Sequence, residues 1–176
     1  MTDSTMATPA EERRKFALYT ALLVVIISLD VVSKMIVQRE LVLYSPRPVI
    51  GDVFRLTYIY NPGAAFGLHL GQYSRFIFLT LTILALVVLF LWYRATPWRD
   101  RLRLVAIASV SGGAVGNMID RVRSQRGVVD FLDVGVGSIR WPVFNVADVA
   151  VTVGAILLAL SLWTEESGAG VNVDGG

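Results

Sequence analysis

Asp30 and Asp148 each interrupt an apolar run long enough to span a bilayer. A carboxylate near hydrocarbon is costly unless it is paired or used, so such residues mark candidate functional sites. Three more carboxyls, Asp120, Asp130 and Asp133, lie before the run that holds Asp148. Two carboxyls close together in a poorly hydrated site cannot both ionise, so they share one proton. One then activates water as a base while the other, protonated, polarises a carbonyl. Such chemistry needs no nucleophile, metal or histidine. Spacing alone leaves Asp120, Asp130 and Asp133 all open as the partner of Asp148.

Other polar residues cluster around these acids. Asp30 and Lys34 are spaced i, i+4, which puts them on one helix face as a potential ion pair. Asn145 lies one turn outward from Asp148 on a similar face. Arg121 follows Asp120 at the outer mouth, and its planar fork suits an acidic neighbour or a lipid phosphate. Gly112 and Gly116 form a small-xxx-small step that reads as close helix packing. Asp30, Asn117 and Asp148 each lie about 14 to 17 residues from a flank, at Lys15, Arg103 and Glu165. At ~1.5 Å per residue, all three reach one level, roughly 21 to 26 Å above the inner boundary. Polar glue between helices explains Asn117 well and two carboxylates poorly.

The sequence has no cysteine and a single histidine, His69. Disulfides, thiolate metal sites and cysteine nucleophiles are excluded, and a protein-built zinc site is not expected. No cofactor is expected either. Net charge is +2, with no basic cluster interleaved with aromatics, so nucleic acid is not the expected partner.

The elements that must position these groups are legible in composition. The chain has 176 residues, 55% hydrophobic and only 17% charged, where a soluble domain carries about a quarter charged. Apolar stretches run from Phe16 to Val37, Phe76 to Tyr93 and Val143 to Trp163, with a weaker Gly-, Ala- and Ser-rich one from Leu102 to Ile119. Each approaches the ~20 residues that cross a bilayer. The first is too long for a signal-peptide core and lacks a following cleavage site, so it reads as a retained span.

Arg13, Arg14 and Lys15, with Arg94, Arg99, Arg101 and Arg103 in one short loop, predict both termini in the cytoplasm. Trp92, Tyr93, Trp98 and Trp163 suit an inner aromatic belt and Trp141 an outer one. Residues 1–15 are expected as a disordered cytoplasmic tail, 16–164 as the membrane domain and 165–176 as a second disordered tail. Within the domain, outer-face segments cover 38–73 and 121–142. Val53 to Tyr60 and Gly127 to Phe131 read as short strands. The fold class is all-α membrane protein: four transmembrane helices with a small extracytoplasmic β element.

Five blocks in order resemble the lipoprotein signal peptidase (signal peptidase II) family: Asp30-Val-Val-Ser-Lys34, Asn61-Pro-Gly-Ala-Ala-Phe-Gly67, Gly112 to Arg121, Val128-Val-Asp-Phe131 and Phe144-Asn-Val-Ala-Asp148. The resemblance covers about residues 16 to 163. It implies a membrane aspartyl endopeptidase of the bacterial cytoplasmic membrane with its active site toward the outer face. The implied catalytic pair is Asp130 and Asp148. Asp30, Lys34, Asn61, Gly63, Asn117, Arg121 and Asn145 match positions implied to bind substrate or support the site. The implied substrate is a diacylglyceryl-modified prolipoprotein, cut just before the lipidated cysteine. Globomycin is the implied inhibitor, membrane lipids are the implied surroundings, and a monomer is expected.

Two rival classes fit the residues less well. A small proton-relay transporter using Asp30 and Asp148 would favour internal repeats or broken helices, and neither is visible. A Ser33-Lys34 peptidase is disfavoured because adjacent helical residues do not face each other.

Overall fold

The computed structural model describes residues 7–63 and 71–170. Helix α1 spans Pro9–Glu40, α2 Ser74–Ala95, α3 Arg101–Arg123 and α4 Val146–Gly170. All four are long and apolar enough to cross a membrane. The expected starting boundary of the first helix needs correction. Residues 9–15, assigned above to a tail, are helical because Thr8-Pro-Ala-Glu11 is a capping box with proline at the first helical position. Helix α4 likewise continues past residue 164.

Helix α3 is the hub, packing against α1, α2 and α4. Of its most apolar window, 56% is buried, against 6%, 11% and 17% in α1, α2 and α4. Its weak hydropathy follows from that position: it faces protein, and small residues let the neighbouring backbones close in. A Cβ added at Gly113 would lie 2.3 Å from the Ala147 carbonyl oxygen, and one at Gly112 3.0 Å from the Ile26 side chain. The outer helices turn Val24, Leu84, Val88, Leu91 and Ile156 outward, where hydrocarbon rather than protein covers them.

The β element is a four-stranded antiparallel sheet in the order β1 (Pro46–Ile50), β2 (Phe54–Asn61), β3 (Val128–Val136) and β4 (Ile139–Arg140). Strands β2 and β3 contain the two runs read from sequence. Strand β1 escaped that reading because Pro46 and Pro48 lack donors, yet both are tolerated on an edge. In the central pair Ile59 faces Asp130 and Asn61 faces Val128. Gly127 has φ +104 and approaches the Asn61 carbonyl so closely that a Cβ would lie 2.1 Å from its oxygen. Only glycine lets β3 begin there.

Val37 of α1 packs with Tyr58, Val129 and Phe131 to seat the sheet on the bundle. At the opposite end Leu89, Tyr93, Leu104 and Ile107 form a second core. Tyr93 stacks on Tyr19 with centroids 4.2 Å apart, and the Lys15 ammonium lies 4.9 Å above its ring. Tyr93 is therefore a core residue rather than part of the expected aromatic belt.

Candidate active site

Asp148 is fixed by the way α4 begins. The Asn145 side-chain oxygen accepts from the Asp148 N–H at 2.9 Å, and Asp148 Oδ2 accepts from the Asn145 N–H at 3.1 Å. Those reciprocal bonds satisfy two backbone donors that a helix start would otherwise leave bare. The other Asp148 oxygen accepts from Asn117 Nδ2 of α3 at 2.8 Å.

Asp130 arrives from β3. Phe131 and Leu132 donate to the Phe144 carbonyl at 3.0 and 2.8 Å, and Phe144 donates back to Leu132 at 3.1 Å. That bridge lays β3 beside the residues preceding α4, bringing Asp130 to Asn145. Asn145 Nδ2 donates to Asp130 Oδ1 at 2.7 Å, and Asn61 Nδ2 donates to Oδ2 at 2.9 Å. Asn61 also accepts from the Gly63 N–H at 3.0 Å, so a tight turn holds it in place. Burial, followed by the charge of Asp148, pushes the Asp130 carboxyl up to about 7, against the two amide bonds and Lys34.

Asp120 and Asp133 are engaged differently. Asp120 pairs with Lys34 at 2.8 Å. Asp133 accepts from Thr57 at 2.6 Å, Arg55 at 3.0 Å and Arg140 at 2.5 Å. Burial alone would raise Asp133, but Thr57, Arg140 and Arg55 hold its carboxyl below the ordinary value. Among the described residues, Asp130 and Asp148 have amide partners and no ion pair.

The common level inferred for Asp30, Asn117 and Asp148 corresponds to one hydrogen-bonded group. Asp30 is fully buried, pairs with Lys34 at 2.7 Å and accepts from the Ala147 N–H at 3.0 Å. Lys34 also donates to Asn117 Oδ1 at 3.0 Å. Ser33 donates to the Asp30 backbone carbonyl at 2.9 Å rather than bonding Lys34. Among the described residues Arg121 forms no carboxylate bond; it donates to the Gly63 carbonyl at 3.1 Å and the Asn117 carbonyl at 3.4 Å, with its guanidinium over Phe78.

Asp130, Asp148, Asn61, Asn117 and Arg121 line one cleft of about 690 Å³. Its remaining wall is largely apolar, from Ile59 and Trp141 through Phe144 to Val149 and Val153. A few polar groups share the wall of a largely apolar trough, as suits an amphiphilic ligand with one reactive polar bond. Among the described residues, no three His, Cys, Asp or Glu side chains are grouped to hold a metal ion.

Comparison with known proteins decides the family. A family model described as Signal peptidase (SPase) II matches residues 22–164. The chain belongs to the signal peptidase II family. Its relatives include the lipoprotein signal peptidases of Desulforapulum autotrophicum (43% identity over 76% of this chain and 83% of the relative) and Geobacter metallireducens (42%, over 87% and 93%). Among solved structures, a bacterial membrane enzyme determined by the in meso method at 2.3 Å has a TM-score of 0.79 at 30% identity, covering 86% of this chain and 91% of that one. A second, at 1.9 Å, has a TM-score of 0.73 at 31% identity, covering 83% and 92%. This signal peptidase II family member is thus a peptidase, with the four-helix fold of a multi-pass bacterial membrane enzyme.

All nine site residues expected from sequence fall within one connected region around the cleft. The stretch from Ala64 to Gly67 and His69 lie outside the described residues. Sequence reasoning missed the grip of Arg55, Thr57 and Arg140 on Asp133. Arg55 and Thr57 alternate on one strand face, and that period-two pattern was the available signal.

Proposed function

We propose that the protein is a membrane aspartyl endopeptidase that removes the signal peptide from diacylglyceryl-modified prolipoproteins, with Asp130 and Asp148 as its reacting pair. One observation carries this reading: two carboxyls that, among the described residues, form no ion pair are joined through Asn145 and line the same apolar cleft. Asp130 holds the shared proton at rest, because its carboxyl is pushed up to about 7.

Asp148 accepts a proton from water as the water oxygen bonds to the scissile carbonyl carbon. Asp130 gives its proton to the carbonyl oxygen, producing a neutral tetrahedral diol. Collapse breaks the C–N bond. The proton held by Asp148 passes to the departing amine, and a diol hydroxyl returns its proton to Asp130. Asn61, Asn117 and Asn145 hold both carboxyls in register, and Arg121 and Gly63 shape the adjoining wall.

The apolar trough beside Asp148 takes the acyl chains of the lipidated cysteine, so the scissile bond lies near the outer leaflet border. Both termini then face the cytoplasm, and the sheet lies on the outer side. Acyl burial contributes much of the affinity, at about 0.8 kcal/mol per methylene group. Globomycin, as an apolar cyclic lipopeptide, would compete for the same cleft. The monomer carries the whole site.

The test is incubation of purified protein with a diacylglyceryl-modified prolipoprotein and with its unlipidated twin. Cleavage of the lipidated form alone is expected, blocked by globomycin and abolished in both Asp130→Asn and Asp148→Asn. Full turnover by both variants would sink the proposed pair.

A further inference from the structure

The two proposed reacting carboxyls are joined a second time, by a route that avoids Asn145. Asp120 Oδ2 at the end of α3 accepts from the Val129 N–H at 3.2 Å, one residue before Asp130. The same oxygen pairs with Lys34 at 2.8 Å. Lys34 pairs with Asp30 at 2.7 Å, and Asp30 Oδ1 accepts from the Ala147 N–H at 3.0 Å, one residue before Asp148. Three side chains therefore bridge the backbone beside one carboxyl to the backbone beside the other.

We propose that Asp120, Lys34 and Asp30 form a charged clamp that sets the separation of Asp130 and Asp148, with Asp120 as a positioning residue. The inference rests on reading Asp130 and Asp148 as the reacting pair. Lys34 has three acceptors, Asp30, Asp120 and Asn117, one for each ammonium proton. Its position is thus over-determined. Gly116 opens the space: a Cβ there would lie 2.6 Å from Asp30 Oδ2. Buried ion pairs are often no more stabilising than apolar side chains of similar volume. Holding three charges here is better explained by what they orient than by stability. Asp120 neither lines the cleft nor hydrogen-bonds either carboxyl, so its effect on turnover passes through the β3 main chain and Lys34.

The sequence has no cysteine, so nitroxide labels can be introduced cleanly at Val136→Cys in β3 and Ile156→Cys in α4. Both positions are exposed. Asp120→Ala should broaden the distance distribution between the labels. It should also lower kcat about tenfold or more with KM held within about twofold, since misplacement by about 1 Å can cost about a hundredfold. Asp120→Asn keeps an oxygen that can accept from Lys34 and Val129, and should recover kcat to within about threefold. That rescue, and the separation of kcat from KM, would not follow from a role in stability alone.

Should Asp120→Ala yield no folded protein, Asp120→Ser, with its shorter acceptor, carries the same expectations. Unchanged kcat and unchanged label distances, or a loss confined to KM, would overturn the clamp. If the unsubstituted protein fails to cut the lipidated substrate, the peptidase pair is refuted, and the label distances still decide the clamp.

Discussion

Asn145 holds Asp130 with its side-chain amide at 2.7 Å while its carbonyl oxygen caps the N–H of Asp148 at 2.9 Å. One side chain thus fixes the helix start and spaces the carboxyls. Asn145→Ala is expected to cost about 1 kcal/mol through loss of the cap. The same substitution should reduce kcat by about a hundredfold through loss of alignment. Thermal unfolding in detergent and steady-state cleavage separate the two effects.

Proton occupancy of Asp130 gives a signed pH dependence. With its carboxyl pushed up to about 7, turnover that needs the shared proton should decline about tenfold per unit as pH rises beyond that value. Stability follows the same sign. The folded state binds this proton more tightly than the unfolded chain, so the contribution is full at acid pH. It is lost as pH rises from about 4 to about 7. Asp130→Asn should remove that part of the slope in a plot of Tm against pH. Asp133 has the opposite sign, its contribution being present above the ordinary carboxylate range and lost as pH falls through its depressed value.

Glycines of α3 should differ in tolerance to alanine. At Gly113 the new Cβ would meet backbone oxygen at 2.3 Å, and at Gly116 the Asp30 carboxylate at 2.6 Å. At Gly112 it meets the Ile26 side chain at 3.0 Å. Gly113→Ala and Gly116→Ala should each cost about 1 to 3 kcal/mol by overpacking, and Gly112→Ala less. Gly116→Ala should also lower activity by displacing Asp30. Denaturation midpoints and cleavage rates of the three variants rank them.

The ion-paired end of the sheet provides a control. Asp133→Ala strips Arg55 and Arg140 of the nearer of two carboxylates they share, leaving Asp52 at 3.3 and 3.7 Å, and losing charge-assisted hydrogen bonds costs about 1 to 3 kcal/mol. The folded fraction should turn over within about twofold of the unsubstituted protein, because Asp133 does not line the cleft. A lowered Tm with near-normal kcat is the expected result.

Much of the architecture was legible in sequence. The apolar runs predict four spans, and two short strand-like runs predict the strands that became β2 and β3. The capping box at Thr8 and Glu11 was equally legible but lay hidden in a polar tail. The Gly-rich run of α3 announced close packing, though not which glycine faces which neighbour. Residue types pointed toward the proposed carboxylate chemistry, since a sequence without cysteine and with one histidine offers few other groups.

By itself the sequence determined the spans and the level shared by Asp30, Asn117 and Asp148. Hydropathy, helical rise and residue type are local properties. Tertiary structure decided which carboxyl faces Asp148: the Phe144 bridge brings Asp130 to Asn145, while Asp120 turns to Lys34 and Asp133 to two arginines. Partners such as Asp30 and Ala147, separated by 117 positions, meet only once α1, α3 and α4 have packed. Burial and paired charge arise from that packing, and no local pattern encodes them.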